Sequence, residues 1–150
     1  MSNASLGQSI AHESAALHVT GRALYIDDLA LPADVLYAAL GLSTISAGTL
    51  SSINLDAVRS ASGVVDLITF ADIPGLTDVG PVFPGDPLLV DQQVSFHGQP
   101  IFAVLATSEM AARRAAKLAE ISYEPFDPIL TLEQAQAQQA RVRPAHKMLK

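Results

Sequence analysis

Cysteine is missing from all 150 residues. That absence removes disulfides, thiolate zinc sites, iron–sulfur ligation and a cysteine nucleophile together, because each requires sulfur. It fits a reducing compartment. Charge is also scarce, with 16% charged against 49% hydrophobic residues, an apolar-rich balance for a self-sufficient soluble monomer. Part of the surface is therefore expected to meet a partner. No apolar run approaches the roughly 18–20 residues that span a bilayer, and no charged segment precedes an apolar stretch at the start. The expectation is a cytoplasmic chain with no membrane partner. Nine Lys and Arg leave a net charge of −6 and a pI near 5.0. Arg113, Arg114 and Lys117 form the one dense basic group, so nucleic acid is disfavoured as a partner.

At 150 residues the chain has the length of one domain, able to bury roughly 68–70% of its unfolded surface. Met1-Ser2-Asn3-Ala4 reads as an expression scar, kept apart from the fold. Residues 5–140 are expected to form the domain, and 141–150, without periodicity and holding Pro144, the start of a linker. Val35 to Leu40 reads as a buried strand ended by Gly41 and Ser43-Thr44, with a shorter strand around Ala23–Ile26. Thr49 to Ile53 alternates as a strand. Asn54 then caps a short helix over Leu55–Ala61 that Gly63 ends, and the β-branched run Val64–Phe70 follows as a strand.

Between Ala71 and Asp91, Pro74, Gly75, Gly80, Pro81, Pro84, Gly85 and Pro87 exclude long regular elements. This is a long loop with one helical turn at Ala71–Ile73, and loops of that length are usually functional or interfacial. The apolar run Ile101–Ala106 reads as a central strand covered on both faces. Ser108 caps a helix from Glu109 to about Glu120, with Met110, Ala111, Ala115, Leu118 and Ala119 inward and Arg113, Arg114 and Lys117 in water. Ile121–Glu124 is a short strand. Thr131 and Gln134 form a capping-box pattern that opens a last helix through about Ala140.

The chemistry-bearing residues do not assemble into a complete site. His12, His18, His97 and His146 lack metal-ligand spacing, and the zinc-protease pattern begun by His12-Glu13 meets Ala16 where a second histidine is needed. Gly7-Gln8-Ser9-Ile10-Ala11 and Gly41-Leu42-Ser43-Thr44-Ile45 lack the final glycine of a nucleophile elbow, so Ser9 and Ser43 read as turn or capping serines. Gly75, Gly80 and Gly85 recur every five residues without a Gly-Lys-Ser/Thr end, and no lysine precedes Lys117. Nucleotide binding by either glycine-rich pattern is thus disfavoured. Asp27-Asp28 is a carboxylate pair at a turn, where adjacent side chains point apart.

Taken in order, His12-Glu13-Ser14-Ala15, the stretch Thr20 to Asp28, Gly41-Leu42-Ser43, and Ala57-Val58-Arg59 leading to Gly63-Val64-Val65 resemble the start of a molybdenum-hydroxylase large subunit. Ala71-Asp72-Ile73-Pro74-Gly75, Asp86-Pro87-Leu88-Leu89, Gly98-Gln99-Pro100, Ala112-Arg113-Arg114-Ala115-Ala116 and Ser122-Tyr123-Glu124 are similar to the bacterial xanthine dehydrogenases in particular. The shared order runs from about Gly7 to Gln134. The resemblance implies an α+β fold, the α/β-hammerhead, with a mixed sheet and flanking helices. It also implies a parent that hydroxylates hypoxanthine and xanthine with oxygen from water, using molybdopterin-bound molybdenum, iron–sulfur clusters, FAD and NAD. The family's catalytic and cofactor positions follow this domain. No catalytic, cofactor-binding or metal residue is therefore carried over, and Gln99 is not equated with the glutamine beside molybdenum.

The role implied is structural. The partners would be the downstream molybdopterin-binding domains and the iron–sulfur and FAD portion, with Asp78 to Pro87 and its apolar Val82 and Phe83 as one contact. As a fragment the domain is expected to be inactive and to self-associate weakly. Three alternatives stay open: the same domain of an aldehyde oxidase, carbon monoxide dehydrogenase or quinoline-type hydroxylase; a biotin or lipoyl carrier; and a stand-alone interaction module. A carrier needs a lysine at a hairpin tip, whereas Lys117 falls on a helix and Lys147 and Lys150 in the tail.

Overall fold

A computed structural model describes residues 7–141. The expected scar, His146, Lys147, Lys150 and all but the first residue of the expected linker lie outside them. The chain folds as two compact units, Met1–Val35 and Leu36–Lys150.

In the first unit the expected strand around Ala23–Ile26 does not form. Helix α1, Ala15–Val19, is followed by a turn at Gly21 and a 3-10 turn over Ile26–Asp28. The amides of Arg22 and Ala23 donate back to Leu17 O, which folds the stretch onto the helix end instead of leaving it free for a ladder.

The second unit holds the remaining elements: β1 Tyr37–Leu42, β2 Gly48–Asn54, α2 Asp56–Arg59, β3 Val64–Thr69, β4 Gln93–Val94, β5 Pro100–Ala106, α3 Glu109–Ala116, β6 Glu120–Pro125 and α4 Leu132–Ala137. The α+β class stands. In place of one mixed sheet, the described residues form two antiparallel three-stranded sheets, ordered β1-β5-β3 and β4-β2-β6.

Strand β5 is central, as its apolar run predicts. Phe102, Val104 and Ala106 are fully buried and stand opposite Gly41, Ala39 and Tyr37 of β1. Phe102, Val104 and Ala115 of α3 share one cluster with Val58, Leu67, Val90, Val94 and Ile101. Burying a phenylalanine or valine side chain contributes about 1.5–3 kcal/mol, so this seam dominates the core. The sheet's other side is less covered. Ala103 and Leu105 are half-buried, and Leu40, paired with Ala103, is exposed.

Helix α3 starts where expected, with Ser108 Oγ accepting from the Ala111 amide. It ends earlier. The amides of Lys117 and Leu118 donate to Arg114 O and Ala115 O, closing the last turn as 3-10, and Glu120 then opens β6 opposite Asn54. Leu118, past the last turn, is 47% exposed; at the other end of the helix Met110, expected inward, is 59% exposed, while Ala112 is buried. The short helix expected over Leu55–Ala61 is α2, with Asn54 Oδ1 accepting from the Asp56 amide. The capping box at Thr131 and Gln134 forms, but α4 stops at Ala137, before a left-handed Gln139. β4, two residues long, lies just past the long loop and was not expected.

Candidate functional site

Two loop closures and one cleft concentrate the unusual geometry of the second unit. The first closure joins the end of β1 to the start of β5. Gly41 faces Phe102 across the ladder, and a methyl at position 41 would fall inside the ring. The register shifts at Gly41/Leu42, and that bulge turns the following serine inward. Ser43 is 1% and Gln99 3% exposed, so each buried polar group needs a partner. The Ser43 amide donates to Gln99 O at 2.9 Å and the Gly98 amide to Ser43 O at 3.0 Å. The Ser43 hydroxyl donates to Phe96 O at 2.9 Å and accepts from the Gln99 amide at 3.0 Å. The side-chain oxygen of Gln99 accepts from the Ser95 amide at 2.7 Å. Gly98, at φ +85°, supplies the left-handed residue this turn requires.

The second closure is exposed. Asp78 Oδ1 accepts from the Gly80 amide at 2.9 Å and the Asp86 amide at 3.3 Å, and Oδ2 from the Gly85 amide at 2.6 Å. Hydrogen bonds from Gly80, then Gly85, hold the carboxyl below its ordinary range, because each favours the ionised form. The Val79 amide donates to Asp86 O and the Leu88 amide to Thr77 O. One carboxylate thus gathers the glycines at 80 and 85 that the phosphate-loop comparison singled out, and Val82 and Phe83 stand at the tip, 76% and 44% exposed. Asp72 works similarly on a smaller scale: it accepts from the Thr69 hydroxyl at 2.6 Å and the Thr69 amide at 2.7 Å, which lower its pKa.

The cleft, of about 920 Å³, lies beside β1. Its lining includes Tyr37 through Leu42 of β1, Phe102 of β5, Glu109 and Arg113 of α3, Lys117 just past that helix, and Ile121 and Tyr123 of β6. Arg113 pairs with Glu109 at 2.8 Å.

The residues singled out in the sequence are mostly accounted for by structure. His12 and His18 do meet, with ring centroids 5.7 Å apart, and His18 Nδ1 lies 3.0 Å from the Tyr25 hydroxyl. All three are exposed. His97 is an exposed turn residue. Asp28 accepts from the Tyr25 amide at 3.0 Å, capping the 3-10 turn, and Asp27 is exposed beside it. Ser9 is exposed, and Ser43, buried with its proton committed to a carbonyl, is out of reach of any substrate. Gly75 sits in the loop at φ +99°.

The donor set does not fit the cofactors that the family resemblance implies. Iron–sulfur clusters need thiolates, and the chain has no cysteine. Among the described residues no group of three or more His, Asp or Glu could hold a metal ion. The N-terminus of α3 is already capped by Ser108. No helix of the described residues is long and apolar enough to cross a membrane.

Residues 20–127 match the family model "Aldehyde oxidase and xanthine dehydrogenase, a/b hammerhead domain". Xanthine dehydrogenase 1 of Arabidopsis thaliana is 37% identical over 87% of this chain and 10% of its own length. Aldehyde oxidase 1 of Bos taurus is 37% identical over 95% of this chain and 11% of its own. The chain therefore spans about a tenth of the curated relatives it matches. Among solved structures, the aldehyde oxidoreductase of Desulfovibrio desulfuricans superposes with a TM-score of 0.77 at 28% identity, covering 90% of this chain and 16% of that one. Quinoline 2-oxidoreductase of Pseudomonas putida gives a TM-score of 0.74 at 28% identity, over 90% and 18%. With its two antiparallel sheets and the match over residues 20–127, the chain belongs to the aldehyde oxidase and xanthine dehydrogenase family, as its hammerhead domain.

Proposed function

We propose that this chain is a structural domain, taken as residues 5–140, at the front of the molybdenum-binding part of a cytoplasmic xanthine-oxidising enzyme, and that it contributes no catalytic or cofactor-binding residue. The parent would use molybdopterin-bound molybdenum, iron–sulfur clusters, FAD and NAD. The observation that carries the reading is the way polar groups are used. Ser43, Gln99, Asp72 and Asp78 spend their side chains on nearby or crossing backbone, whereas Leu40, Val82 and Phe83 remain exposed and apolar. A surface whose polar side chains are committed to the chain's own backbone while apolar side chains face outward suits packing against other domains. The loop Asp78–Pro87 is one such contact.

The test is made on the full-length enzyme. Stoichiometric molybdenum with xanthine oxidised in preference to aldehydes supports the reading, and a full-length structure with the 78–87 loop wholly in solvent removes the proposed contact. The isolated chain is expected to bind no molybdenum and to leave xanthine unoxidised; stoichiometric molybdenum in it would overturn the assignment of roles. A second reading, an aldehyde-oxidising parent, is favoured by the equal identity of the bovine aldehyde oxidase over a larger share of the chain. Preference for aldehydes in the same assay would select it.

A further inference from the structure

We infer that the cleft beside β1 is a strand-docking site, whose occupant is an extended apolar segment bearing one acidic side chain. Among the described residues β1 pairs only with β5. Six consecutive residues, Tyr37 through Leu42, line the cleft. Successive side chains of a strand point to opposite faces, so an unbroken run of lining residues means that the strand presents its backbone edge. That edge carries no lysine, proline or inward-pointing charge, the usual guards against pairing, and its bulge comes only at Gly41/Leu42. An added strand would satisfy the open amides and carbonyls, and alternate side chains would enter the cleft against Ile121 and Tyr123.

Charge selects the chemistry of the occupant. Two cations, Arg113 and Lys117, line the cleft. Arg113 is neutralised by Glu109, whereas Lys117 makes no ion pair among the described residues. An acidic side chain on the incoming strand would complete it. The inference rests on the reading that the domain is embedded in a larger enzyme, another segment of which would supply the strand.

The test uses the 150-residue chain and a blocked nine-residue peptide of alternating valine and threonine with one central glutamate, beside a twin carrying glutamine there. The glutamate peptide is expected to bind saturably, to slow amide exchange across Tyr37–Leu42, and to bind about fivefold tighter than its twin, the upper end for an exposed ion pair. Lys117→Glu should abolish that preference. Arg114→Glu, on the last turn of α3 beside Lys117 but outside the cleft lining, should leave it intact. Absence of binding, binding that leaves the β1 amides unprotected, or equal losses in the two variants would overturn the inference. So would protection of β1 that rises with protein concentration and needs no peptide, since the occupant would then be a second copy. None of these results bears on molybdenum content or substrate preference, so this inference and the proposed function fail separately.

Discussion

The Ser43–Gln99 closure and the Asp78 closure use the same device in opposite surroundings. Each ties chain ends together through a side chain that takes several backbone hydrogen bonds, from residues 56 apart in one case and up to eight apart in the other. In the first the bridging side chains of Ser43 and Gln99 are buried, and in the second Asp78 is open to water. An exposed amide released from its partner rebonds to solvent, while a buried one does not and carries its full desolvation cost. The buried closure therefore supports the stability of the unit. The exposed one sets the shape of a loop.

The largest test of that contrast lies beneath the buried closure. Phe102→Ala empties a fully buried ring site between Gly41 and Thr69 and should cost about 3–5 kcal/mol in denaturant unfolding. Gly41→Ala overpacks the same place and should cost about 1–3 kcal/mol or more. Because its added methyl meets the Phe102 ring, Phe102→Leu should absorb part of that cost. Equal losses from Gly41→Ala in the two backgrounds would mean that the ring is not what holds position 41 to glycine. Ser43→Ala removes a hydroxyl that serves both Phe96 O and the Gln99 amide and should cost about 1–3 kcal/mol. A neutral outcome would erase the distinction between the two closures.

What was legible in the sequence follows the range of the interactions. The seam strand β5, the start of α3 and the Thr131 capping box depend on neighbours within a few residues, and each appears where its pattern predicts. The end of α3 does not, because Glu120 is claimed by a ladder with Asn54, 66 residues away. The apolar stretch at 23–26 lacks a strand because the Ala23 amide turns back to Leu17 O and the Tyr25 amide is taken by the Asp28 side chain. Sheet pairing is likewise non-local, so one mixed sheet and two antiparallel ones suit the same run of elements. The buried role of Gln99 depends on Ser43 and was invisible. The exposed turn role of Asp78 was available: an aspartate two residues before a glycine is an Asx-turn signal. The cleft beside β1 left no mark, since an unguarded edge is recognised only when the strand's neighbours are known.

Asp78→Asn gives the smallest global effect and the sharpest local one. An amide side chain offers one acceptor oxygen where the carboxylate offers two, and its NH2 would confront an amide donor from Gly80 or Gly85. The loop should open locally, with exchange at Gly80, Gly85 and Asp86 rising while the denaturation midpoint of the unit stays in place. The wild-type loop should show the same opening on acidification. Its carboxyl titrates below the ordinary aspartate value because the folded loop favours the ionised form. The stabilisation is thus fully present above the unfolded pKa, about 3.9, and is lost as the pH falls through the lower folded value. Exchange at these amides, corrected for the intrinsic acid dependence, should rise across that window in the wild type and stay flat in Asp78→Asn. A shift of the whole unit's midpoint in step with the loop would show that the exposed closure bears global stability after all, and the contrast with Ser43 and Gln99 would then be one of degree.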